Sequence, residues 1–404
     1  MTAWPVAPGV PIMTRNGRLR VLHIGKYYAP HKGGMETYLQ SLCGEMQDLV
    51  DIEVIVANET SRARTDMVER IKVSRMGTLF NFASAPVCPG MVRQIRRSEA
   101  DLVHIHLPNP TAILAFLASG HAGRLVVGYH SDIIRQKILG KVFEPILHVA
   151  LRRSSALIAA SPNYVQSSKI LSSYRDRCHV IPYGIRLERF DDCQSNDVAQ
   201  IRARFGPRLI LSVGRLVCYK GYKYLIEAMQ KIDGRLAIAG EGRLRGDLER
   251  EIADRGLSGR VALLGEVEDL APWYHAADVF VLSSITRGEA FGIVQLEAMS
   301  CGKPVVNTAL ASGVPYVSVH GVTGLTVPPA DAEALAGSIT KLLDDSELRA
   351  RYGQAARRRV QREFSLKGMA QRTYRLYEEV MRHPADGSRL APESRDGIHS
   401  AREQ

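Results

Sequence analysis

Short apolar runs alternate with helical stretches along the first half of the chain. The runs are LRVLHIG, DIEVIVA, DLVHIHL, RLVVGYH and ALIAAS. Runs of this length are typical of strands that are buried on both faces. Helices are predicted between them, and GGMETYLQSLCGEM is the first. Strands that alternate with helices predict a parallel sheet that is covered by helices on both sides.

A second series of the same kind follows a break in the pattern. Pro182 and Gly184 within PYGIRLERF favour a linker. The later runs are RLILSVG, RLAIAG, VALLG, DVFVLSS and PVVN. We therefore predict two doubly wound α/β domains, with ligands bound at the carboxyl ends of the strands in a cleft between them. The predicted boundaries are an N-terminal arm over residues 1–18, a first domain over 19–186, a second domain over 187–365, a helix over 366–383 and a disordered tail over 384–404.

The charge of the chain is strongly positive and unevenly distributed. The sequence has 53 Lys and Arg against 42 Asp and Glu, a formal net charge of +11. Residues 1–188 contain 23 of the basic and 14 of the acidic residues, so the N-terminal half carries +9 of this total. We expect this half to meet a negative partner, such as a phosphate, an anionic lipid surface or nucleic acid. A hydrophobic content of 45% is ordinary for a soluble globular protein.

Several classes of site and of targeting segment are disfavoured. The six cysteines are scattered, without a CxxC pair, which argues against a zinc site and favours a reducing compartment. The segment MTAWPVAPGVPIMTRNGRLR lacks the charged and apolar regions of a signal peptide, and no apolar run is long enough to span a membrane. The loop GKYYAPHKGG after the first strand does not match the dinucleotide fingerprint, and a P-loop motif is absent.

Two glycine-containing loops could bring a ligand phosphate close to the backbone. Gly33 and Gly34 precede the first predicted helix, where they either permit close approach of a ligand or only make the loop flexible. In SVGRLVCYKGYKYLIEA a strand ends at Gly214, and Arg215 and Lys220 follow before a helix. Two fixed cations at the end of a strand suit a diphosphate, and a solvated basic loop is the alternative.

The stretch EAFGIVQLEAMSCGKPVV combines two carboxylates with a helix start. Glu289 lies in the loop, and the free N–H groups of Gly292 and Ile293 can face an anion. Glu297 lies further along the helix among apolar neighbours, which argues against a pair of merely exposed glutamates. Carboxylates accept hydrogen bonds from vicinal hydroxyls. One ligand could therefore place a phosphate at the helix start and polyol groups against the two glutamates.

Taken together, these motifs resemble the retaining glycosyltransferases of family 4, which have the GT-B fold. EAFGIVQLEAMSCGKPVV is similar to their E-x7-E motif, GRLVCYKGYKYLIEA to their diphosphate loop, YGIRLERF to their interdomain linker and HGVTGLTVPPAD to a late strand and loop. The resemblance covers most of residues 19–380. The stretches HSDIIRQKIL, SPNYVQSS and NTALASGVPYVS are most similar to bacterial mannosyl- and rhamnosyltransferases of surface polysaccharide. The resemblance implies two Rossmann-like domains that face a central cleft, the first for the acceptor and the second for the donor, with the C-terminal helix crossing back.

The resemblance also implies roles for individual residues. Arg215 and Lys220 hold the donor diphosphate and neutralise the leaving group. Glu289 and His130 are the candidate catalytic residues, because Glu289 orients the donor sugar and His130 lies against the reacting sugar; a capping or core role is the alternative for this histidine. Glu297 binds the ribose. The remaining candidate donor-binding residues are Gly33, Gly34, Gly240, Glu241, Gly242, Val267, Phe291, Gly292 and Ile293, of which Gly240 to Gly242 and Val267 line the base pocket.

The implied chemistry requires neither a metal nor a cofactor. The sequence has no DxD-like acidic cluster at a strand end, and Arg215, Lys220 and a helix N-terminus replace the metal at the diphosphate. The family implies retention of configuration. Since we identify no carboxylate nucleophile, we prefer a front-face mechanism in which the leaving phosphate accepts the proton of the acceptor. The expected donor is a GDP-sugar, with a UDP-sugar as the alternative. One departure is Tyr316 in SGVPYV, where family members often carry a glutamate, which leaves the role of this loop open.

The acceptor side is predicted from residues 133–153, IIRQKILGKVFEPILHVALRR, which have basic residues near one helical face and apolar residues on another. Such a helix can lie on an anionic membrane, and a core-facing helix with a solvated basic face is the alternative. The first interpretation predicts a cytoplasmic enzyme, peripheral on the inner face of the cytoplasmic membrane, that acts on a lipid-linked or polysaccharide acceptor. The alternatives are a GT-B enzyme that uses a small soluble acceptor or epimerises a nucleotide sugar, and a nucleic-acid-binding protein. The last is disfavoured because we find no basic stripe with interleaved aromatics.

Overall fold

The computed structural model describes residues 17–31, 33–82, 85–132, 137–191 and 195–383. Most of the predicted N-terminal arm and the whole of the predicted C-terminal tail lie outside the described residues. The described chain divides into two compact units. The N-terminal unit comprises the residues up to 159, residues 173–179 and those from 370 to 383, and the C-terminal unit comprises residues 160–172 and 180–369.

A mostly parallel sheet forms the centre of the N-terminal unit. The strands of the described segment are β1 (Arg20–Ile24), β2 (Asp51–Ala57), β3 (Arg64–Val68), β4 (Ile71–Met76), β5 (Phe80–Phe82), β6 (Ala85–Val87), β7 (Leu102–Leu107), β8 (Arg124–Tyr129), β9 (Ala156–Ala159) and β10 (Cys178–Val180). Eight of them are ordered β10-β9-β8-β7-β1-β2-β4-β3, and β5 pairs with β6 in a separate antiparallel ladder. β3 runs antiparallel to β4 at one edge, whereas β1 is parallel to both β2 and β7.

Helices connect these strands in the way that the apolar pattern predicts. The first four helices are α1 (Gly34–Met46), α2 (Gly90–Arg97), α3 (Pro110–Ser119) and α4 (Lys137–Arg153). The start of α3 illustrates the local causes: Asn109 Oδ1 accepts a hydrogen bond from the N–H of Ala112 at 3.1 Å, and Pro110 occupies the first turn. The helix ends at Gly120, whose φ of 68° suits a glycine at the cap.

The C-terminal unit is built around a second parallel sheet. Its strands are β11 (Leu209–Val213), β12 (Arg235–Ala239), β13 (Val261–Gly265), β14 (Val279–Leu282), β15 (Val305–Thr308) and β16 (Gly324–Val327), in the order β13-β12-β11-β14-β15-β16. Its helices are α5 (Pro162–Ser167), α6 (Ser195–Phe205), α7 (Tyr222–Ala228), α8 (Arg245–Asp254), α9 (Ala271–Ala276), α10 (Ile293–Ser300), α11 (Val314–Val317), α12 (Ala332–Asp344) and α13 (Ser346–Glu363). A last helix, α14 (Leu366–Arg382), begins in this unit, and its residues from Ala370 onward belong to the N-terminal unit.

Both sheets reverse their strand order at one point, as doubly wound sheets do. In the C-terminal unit the chain runs outward from β11 through β12 to β13, then returns to the other side of β11 as β14. In the N-terminal unit β1 separates β2 from β7 in the same way. The prediction of two doubly wound α/β domains is thereby confirmed. No helix within the described part of the chain is long and apolar enough to cross a membrane.

Candidate active site

Three neighbouring strands of the C-terminal unit end in loops that carry the predicted donor-binding residues. Arg215 and Lys220 follow β11, the turn of residues 240–242 follows β12, and Glu289 and Gly292 follow β14. Since β12, β11 and β14 are adjacent in this order, these loops lie side by side at the carboxyl edge of the sheet. They flank the point where the strand order reverses, which is the usual ligand site of such sheets.

Lys220 and Glu289 form a nearly buried ion pair. Lys220 Nζ lies 2.6 Å from Glu289 Oε2, and the two side chains are only 10% and 12% exposed. Ser284 Oγ donates a second hydrogen bond to the same carboxylate oxygen at 3.0 Å. Burial is the largest single influence and lowers the pKa of Lys220, but the charge of Glu289, the two neighbouring tyrosines and the hydrogen bond to Glu289 together raise it overall. The ammonium group therefore remains charged, and it is held beside the carboxylate.

The loop after β11 has a conformation that requires glycine. Gly214 has a φ of 150°, and a Cβ atom there would lie 3.0 Å from Lys220 Nζ. Gly221 has a φ of 69°, and its Cβ atom would lie 2.1 Å from the carbonyl oxygen of Ser283. The two glycines therefore let the loop fold tightly against the end of β14. Arg215 in the same loop is exposed and forms no ion pair with any described residue.

The turn after β12 packs directly on this loop. A Cβ atom at Gly240 would lie 2.2 Å from the carbonyl oxygen of Gly214, and one at Gly242 would lie 2.5 Å from that of Leu216. The Leu216 N–H donates to the carbonyl oxygen of Glu241 at 2.9 Å. The carboxylate of Glu241 itself accepts from Arg245 at 2.8 Å. Val267, the remaining predicted base-pocket residue, is partly buried in the loop after β13, which is the edge strand next to β12.

Helix α10 begins at a glycine that no other residue could replace without strain. Gly292 has a φ of 76°, and a Cβ atom there would lie 2.6 Å from Leu282 Cδ2. Ile293 is the first helical residue, so its N–H is among those that lack an intrahelical partner. Phe291, which the resemblance assigns to the donor, is 2% exposed and packs edge-on against Tyr183 with ring centroids 4.8 Å apart. Its ring therefore anchors the loop in the core.

A buried polar network that the sequence analysis did not identify fixes the start of α10. Gln295 Nε2 donates to the carbonyl oxygen of Phe291 at 3.1 Å, and Gln295 Oε1 accepts from Asn307 Nδ2 at 2.8 Å. Asn307 Oδ1 in turn accepts from Thr326 Oγ1 at 2.7 Å. Gln295 and Asn307 are fully buried. The signal that could have revealed them is an amide side chain within an apolar helix face and another within the apolar strand PVVN.

Glu297 is half-buried and already has a partner. Tyr274 OH donates to Glu297 Oε2 at 2.5 Å. Burial raises the pKa of Glu297, while the hydrogen bond from Tyr274 and the charge of Arg189 act in the opposite direction. Burial first, and then the neighbouring carboxylate, raise the pKa of Tyr274 well above its usual value. The phenol therefore stays protonated and orients the carboxylate.

In the N-terminal unit the two predicted glycines open helix α1. Gly33 has an extended backbone, with a φ of 177°, and its carbonyl oxygen accepts from the N–H of Thr37 at 2.9 Å. Gly34 is exposed, and a Cβ atom there would meet no described atom within 4 Å. The space beside Gly34 is therefore open to a ligand, and the fold alone does not require glycine at this position.

His130 belongs to a cluster of buried histidines of which the sequence analysis identified only one member. His130 follows β8, and its Nε2 atom lies 3.1 Å from His106 Nδ1. His106 Nε2 in turn lies 3.0 Å from His23 Nδ1. We call His23, His106 and His130 the histidine row. A fourth buried histidine, His104, bonds to Tyr377 OH through Nδ1 at 2.6 Å. The signal in the sequence is the alternation HIH on a strand that is buried throughout.

Among the described residues, His23, His104 and His106 offer one possible metal-binding group, with one nitrogen each within 4.8 Å of the others. Both ring nitrogens of His106 already face another imidazole at hydrogen-bond distance. A metal ion would therefore have to displace at least one of these contacts. The geometry favours a hydrogen-bonded cluster over a metal centre.

Comparison with known proteins decides the family. The model described as "Glycosyltransferase Family 4" matches residues 32–189, and that described as "Glycosyl transferases group 1" matches residues 194–359. A D-rhamnosyltransferase, WbpZ of Pseudomonas aeruginosa, is 32% identical over 353 residues, which cover 86% of this chain and 92% of the relative. The chain is a family 4 glycosyltransferase. The resemblance that the motifs predicted is therefore confirmed.

Two further comparisons place this glycosyltransferase within its family and its fold. The O-antigen chain mannosyltransferase C of Escherichia coli is 31% identical over 370 residues, which cover 90% of this chain and 99% of the relative. The solved sucrose-phosphate synthase of Thermosynechococcus elongatus superposes with a TM-score of 0.77 at 22% identity, over 90% of this chain and all of that one. At this identity the structural likeness shows the GT-B fold alone.

Helix α4 gives the glycosyltransferase an exposed apolar strip. Residues 133–136 of the predicted amphipathic segment lie outside the described residues. On the described part, Val142 is 70% exposed and Val149 is 46% exposed. The side that faces the core carries Leu147, Ala150 and Leu151, which are buried. Val142 and Val149, two members of the predicted apolar face, therefore lie away from the residues of α4 that pack into the unit.

The departure at Tyr316 has a structural explanation within the C-terminal unit. Arg359 donates to the carbonyl oxygens of Tyr316 and Val317, at 2.8 and 3.1 Å, and its guanidinium lies 5.4 Å from the Tyr316 ring centroid. The Tyr316 ring also packs edge-on against Phe364. The tyrosine thus fastens the short helix α11 to α13, where a glutamate would have offered no such packing.

Proposed function

We propose that this glycosyltransferase transfers a hexose of the mannose or rhamnose type from a nucleoside diphosphate sugar to a lipid-linked or polysaccharide acceptor. The product is part of a cell-surface glycan such as an O-antigen or an exopolysaccharide. Transfer retains the anomeric configuration and uses no metal ion. The names of the P. aeruginosa and E. coli relatives support the sugar type and the kind of product.

One observation carries the proposal: Arg215, Lys220 and the start of α10 follow the carboxyl ends of two adjacent strands. Arg215 and Lys220 follow β11, and Gly292 and Ile293 follow β14. Two cations and the free N–H groups of a helix start form a site for a ligand with two negative phosphates. Carboxylates that flank the same site accept hydrogen bonds from sugar hydroxyls.

The ion pair holds the side chains of Lys220 and Glu289 in position before the nucleotide sugar binds. The Lys220 ammonium has three N–H donors, of which one faces Glu289 at 2.6 Å. The other two donors can bind phosphate oxygens, while the carboxylate of Glu289 accepts hydroxyls of the sugar. Because the pair is nearly buried, both groups are already desolvated, and their attraction for the ligand is stronger than in water.

The reaction moves negative charge onto the diphosphate. The bond between the anomeric carbon and the phosphate oxygen breaks, and its electron pair stays on the leaving diphosphate. Arg215, Lys220 and the α10 start stabilise this charge in place, as preorganised groups do in other enzymes. The acceptor oxygen bonds to the anomeric carbon on the face from which the phosphate leaves. Its proton passes to a phosphate oxygen, so no separate protein base is required.

The nucleoside end of the donor is assigned to three further elements. Glu297, oriented by Tyr274, accepts hydrogen bonds from the ribose hydroxyls. The turn of residues 240–242 and Val267 line the space for the base. A GDP-sugar is the donor that the family resemblance favours, with a UDP-sugar as the alternative. His130, Gly33 and Gly34 of the N-terminal unit are assigned to the sugar and phosphate.

A thermal-shift panel of UDP-, GDP-, ADP- and dTDP-sugars tests the donor site. A ligand at 100 times its Kd should stabilise the protein by about 2.7 kcal/mol. Lys220→Ala should abolish the shift, whereas Lys223→Ala, an exposed lysine one turn away on α7, should keep it. A shift that survives in Lys220→Ala would contradict the assignment of the diphosphate site.

The fate of the sugar separates the proposed acceptor from its alternatives. When membranes supply the acceptor, radiolabelled sugar should appear in a lipid that is extracted into organic solvent or in a polymeric glycan. Label in a small water-soluble product would favour a soluble acceptor, and label only in an altered nucleotide sugar would favour an epimerase. We expect the first result because α4 exposes Val142 and Val149 and carries Arg152 and Arg153 in its last turn.

Membrane association is tested by flotation with vesicles. The exposed valines of α4, at 70% and 46%, are the residues that would enter the lipid interface. Val142→Asp and Val149→Asp should reduce binding to vesicles rich in anionic lipid at low salt. Val322→Asp, at a valine that is 52% exposed in the C-terminal unit, is the matched control and should bind normally. Failure of the unmodified protein to float with these vesicles would exclude this part of the proposal.

A further inference from the structure

The histidine row crosses three neighbouring strands of the N-terminal sheet. His23 lies on β1, His106 on β7 and His130 directly after β8. These strands are adjacent in the sheet, and all three histidines are buried. The proposed function uses only His130. The other two members are buried polar residues for which packing alone gives no reason.

The rings of the row are joined edge to edge. The facing nitrogens lie 3.0 Å apart between His23 and His106 and 3.1 Å apart between His106 and His130. The ring planes differ by only 11° and 13°, and each pair of centroids is 5.3 Å apart. Since the centroids are much further apart than the nitrogens, the contacts lie between the ring edges. Both contacts therefore have the geometry of N–H···N hydrogen bonds in a nearly common plane.

Neutral rings in such a row share one tautomer. A neutral imidazole has one N–H and one bare nitrogen. His106 uses both of its nitrogens in the row, so it donates to one neighbour and accepts from the other. The two hydrogen bonds then point in the same direction, and all three rings carry the hydrogen on the same nitrogen. The tautomer of His130 is in this way tied to that of His23.

Burial keeps the row neutral. Burial lowers the pKa of His23 to about 3 and that of His130 to about 4. For His106, burial is again the largest cause, and the neighbouring histidines lower the pKa further. None of the three rings is therefore charged near neutral pH. Each carries one N–H, so the hydrogen-bond arrangement described for neutral rings applies.

The outer end of the row selects the direction of the hydrogen bonds. His23 Nε2 is buried and has no hydrogen-bond partner among the described residues. A hydrogen on this atom would be a buried N–H without an acceptor, which is rare in proteins. With the hydrogen on Nδ1 instead, His23 donates to His106 and His106 donates to His130. His130 then carries its own hydrogen on Nδ1.

We propose that His23 and His106 are positioning residues that hold His130 in one ring orientation and in the Nδ1–H tautomer. The inference rests on the proposed function, in which His130 lies against the reacting sugar. In that tautomer the second ring nitrogen of His130 is a hydrogen-bond donor. A donor recognises an oxygen of the sugar and cannot act as a base toward a hydroxyl.

His104 provides a matched control on the same strand. It is as deeply buried as His106 and lies two residues away, on the same face of β7. Its Nδ1 atom bonds to Tyr377 OH at 2.6 Å, and its ring packs against that of His106 with centroids 4.1 Å apart, so it touches the row without being one of its two hydrogen bonds. A substitution at His104 removes a buried histidine without breaking the contact between His106 and His130.

Nitrogen-15 NMR of the full chain, labelled at its 12 histidines, tests the tautomer directly. Ring nitrogens that carry hydrogen and those that do not give well-separated signals, and single substitutions assign them. At pH 7 we expect Nδ1–H in His23, His106 and His130. His106→Phe should shift the ring signals of His130, and His104→Phe should leave them in place. An Nε2–H form in any of the three, unshifted His130 signals in His106→Phe, or stoichiometric metal in the purified protein would overturn the proposal.

Kinetics supplies the second test. His106→Phe should lower kcat about tenfold, with the donor KM changed by less than about twofold, because His130 loses its orientation while the groups that bind the diphosphate and the nucleoside are unchanged. His106→Asn, whose amide can still donate toward His130, should recover most of kcat. Equal losses in His104→Phe and His106→Phe would overturn the proposal. Absence of any nucleotide-sugar binding by the unmodified protein would instead reject the proposed function, and the NMR result would still decide the tautomer.

Discussion

At the scale of single residues, the pair of Lys220 and Glu289 raises the question of why two charges are buried together. A buried ion pair contributes little more to stability than well-packed apolar residues would, because both charges lose their hydration. Removing one partner, however, leaves an uncompensated charge. Stability alone therefore does not account for the pair, and its place at the ends of β11 and β14 points to chemistry.

Lys220→Met should lower the free energy of unfolding by about 3 kcal/mol, because it leaves the carboxylate of Glu289 nearly buried and unpaired. The double variant Lys220→Met/Glu289→Gln should recover a large part of this loss. Urea denaturation of the two single variants and the double variant measures the coupling. Losses that simply add would show that the two side chains do not interact in solution.

At the scale of elements, the start of α10 depends on tertiary contacts and not on helix propensity. The helix has eight residues and no side-chain cap at its N-terminus. Gly292, in the left-handed region, and the amide of Gln295, which bonds back to the carbonyl oxygen of Phe291, set its first turn. A helix this short would be marginal alone. Its N–H groups are therefore held in place by the strands beneath it.

Gly292→Ala should destabilise the protein by about 2 kcal/mol, because it forces a side chain into a left-handed backbone and against Leu282. It should also weaken the donor thermal shift, since the α10 N–H groups move. Gly337→Ala, within α12 and with open space around the new methyl group, is the control and should stabilise by up to about 1 kcal/mol. Equal effects of the two substitutions on donor binding would contradict this role of the helix start.

The sequence predicts these elements better than it predicts their contacts. Strands β7 and β11 are recognisable because every residue in them is buried, which makes the runs LVHIHL and LILSV continuous. Arg215, Lys220 and Glu289 are recognisable because they lie in the glycine-containing motifs GRLVCYKGYKYLIEA and EAFGIVQLEAMSCGKPVV, which resemble those of the family. The histidines of HIH and the amides of Gln295 and Asn307 stand out as polar residues in apolar runs, but their partners are not predictable, because each pairing depends on which elements are neighbours in the fold. Strand order is set by packing over the whole sheet, and a local pattern does not contain it.

At the scale of the whole molecule, the clustered histidines His23, His104, His106 and His130 couple stability to pH. Their pKa values are lowered in the folded state and return to about 6.5 on unfolding. Below this pH the unfolded chain binds protons that the folded chain does not. The contribution of these neutral histidines to stability is therefore complete above about pH 6.5. It is lost as the pH falls toward the pKa values of the folded state, about 3 for His23 and about 4 for His130. Glu297, whose pKa burial raises, acts in the opposite direction and is a single group.

The free energy of unfolding should fall between pH 7 and pH 5, by up to about 1.4 kcal/mol per pH unit for each of these four clustered histidines once the pH is below 6.5. Urea denaturation at half-unit steps of pH measures this slope. His23→Phe should reduce the slope by the contribution of one histidine, whereas His31→Phe, at an exposed histidine, should leave the slope unchanged. A slope that His23→Phe leaves unchanged would show that His23 is charged or exposed in the folded protein.

The N-terminal unit combines segments that are far apart in the chain, and this has a consequence for its biosynthesis. This unit draws on both the early part of the chain and residues 370–383, and Tyr377 supplies the hydroxyl that His104 contacts. A ribosome that has released the first 159 residues has not yet made that tyrosine. The unit that begins first therefore completes its core last, after all residues of the C-terminal unit have emerged. A nascent chain halted before residue 370 would expose the site beside His104 to chaperones and proteases.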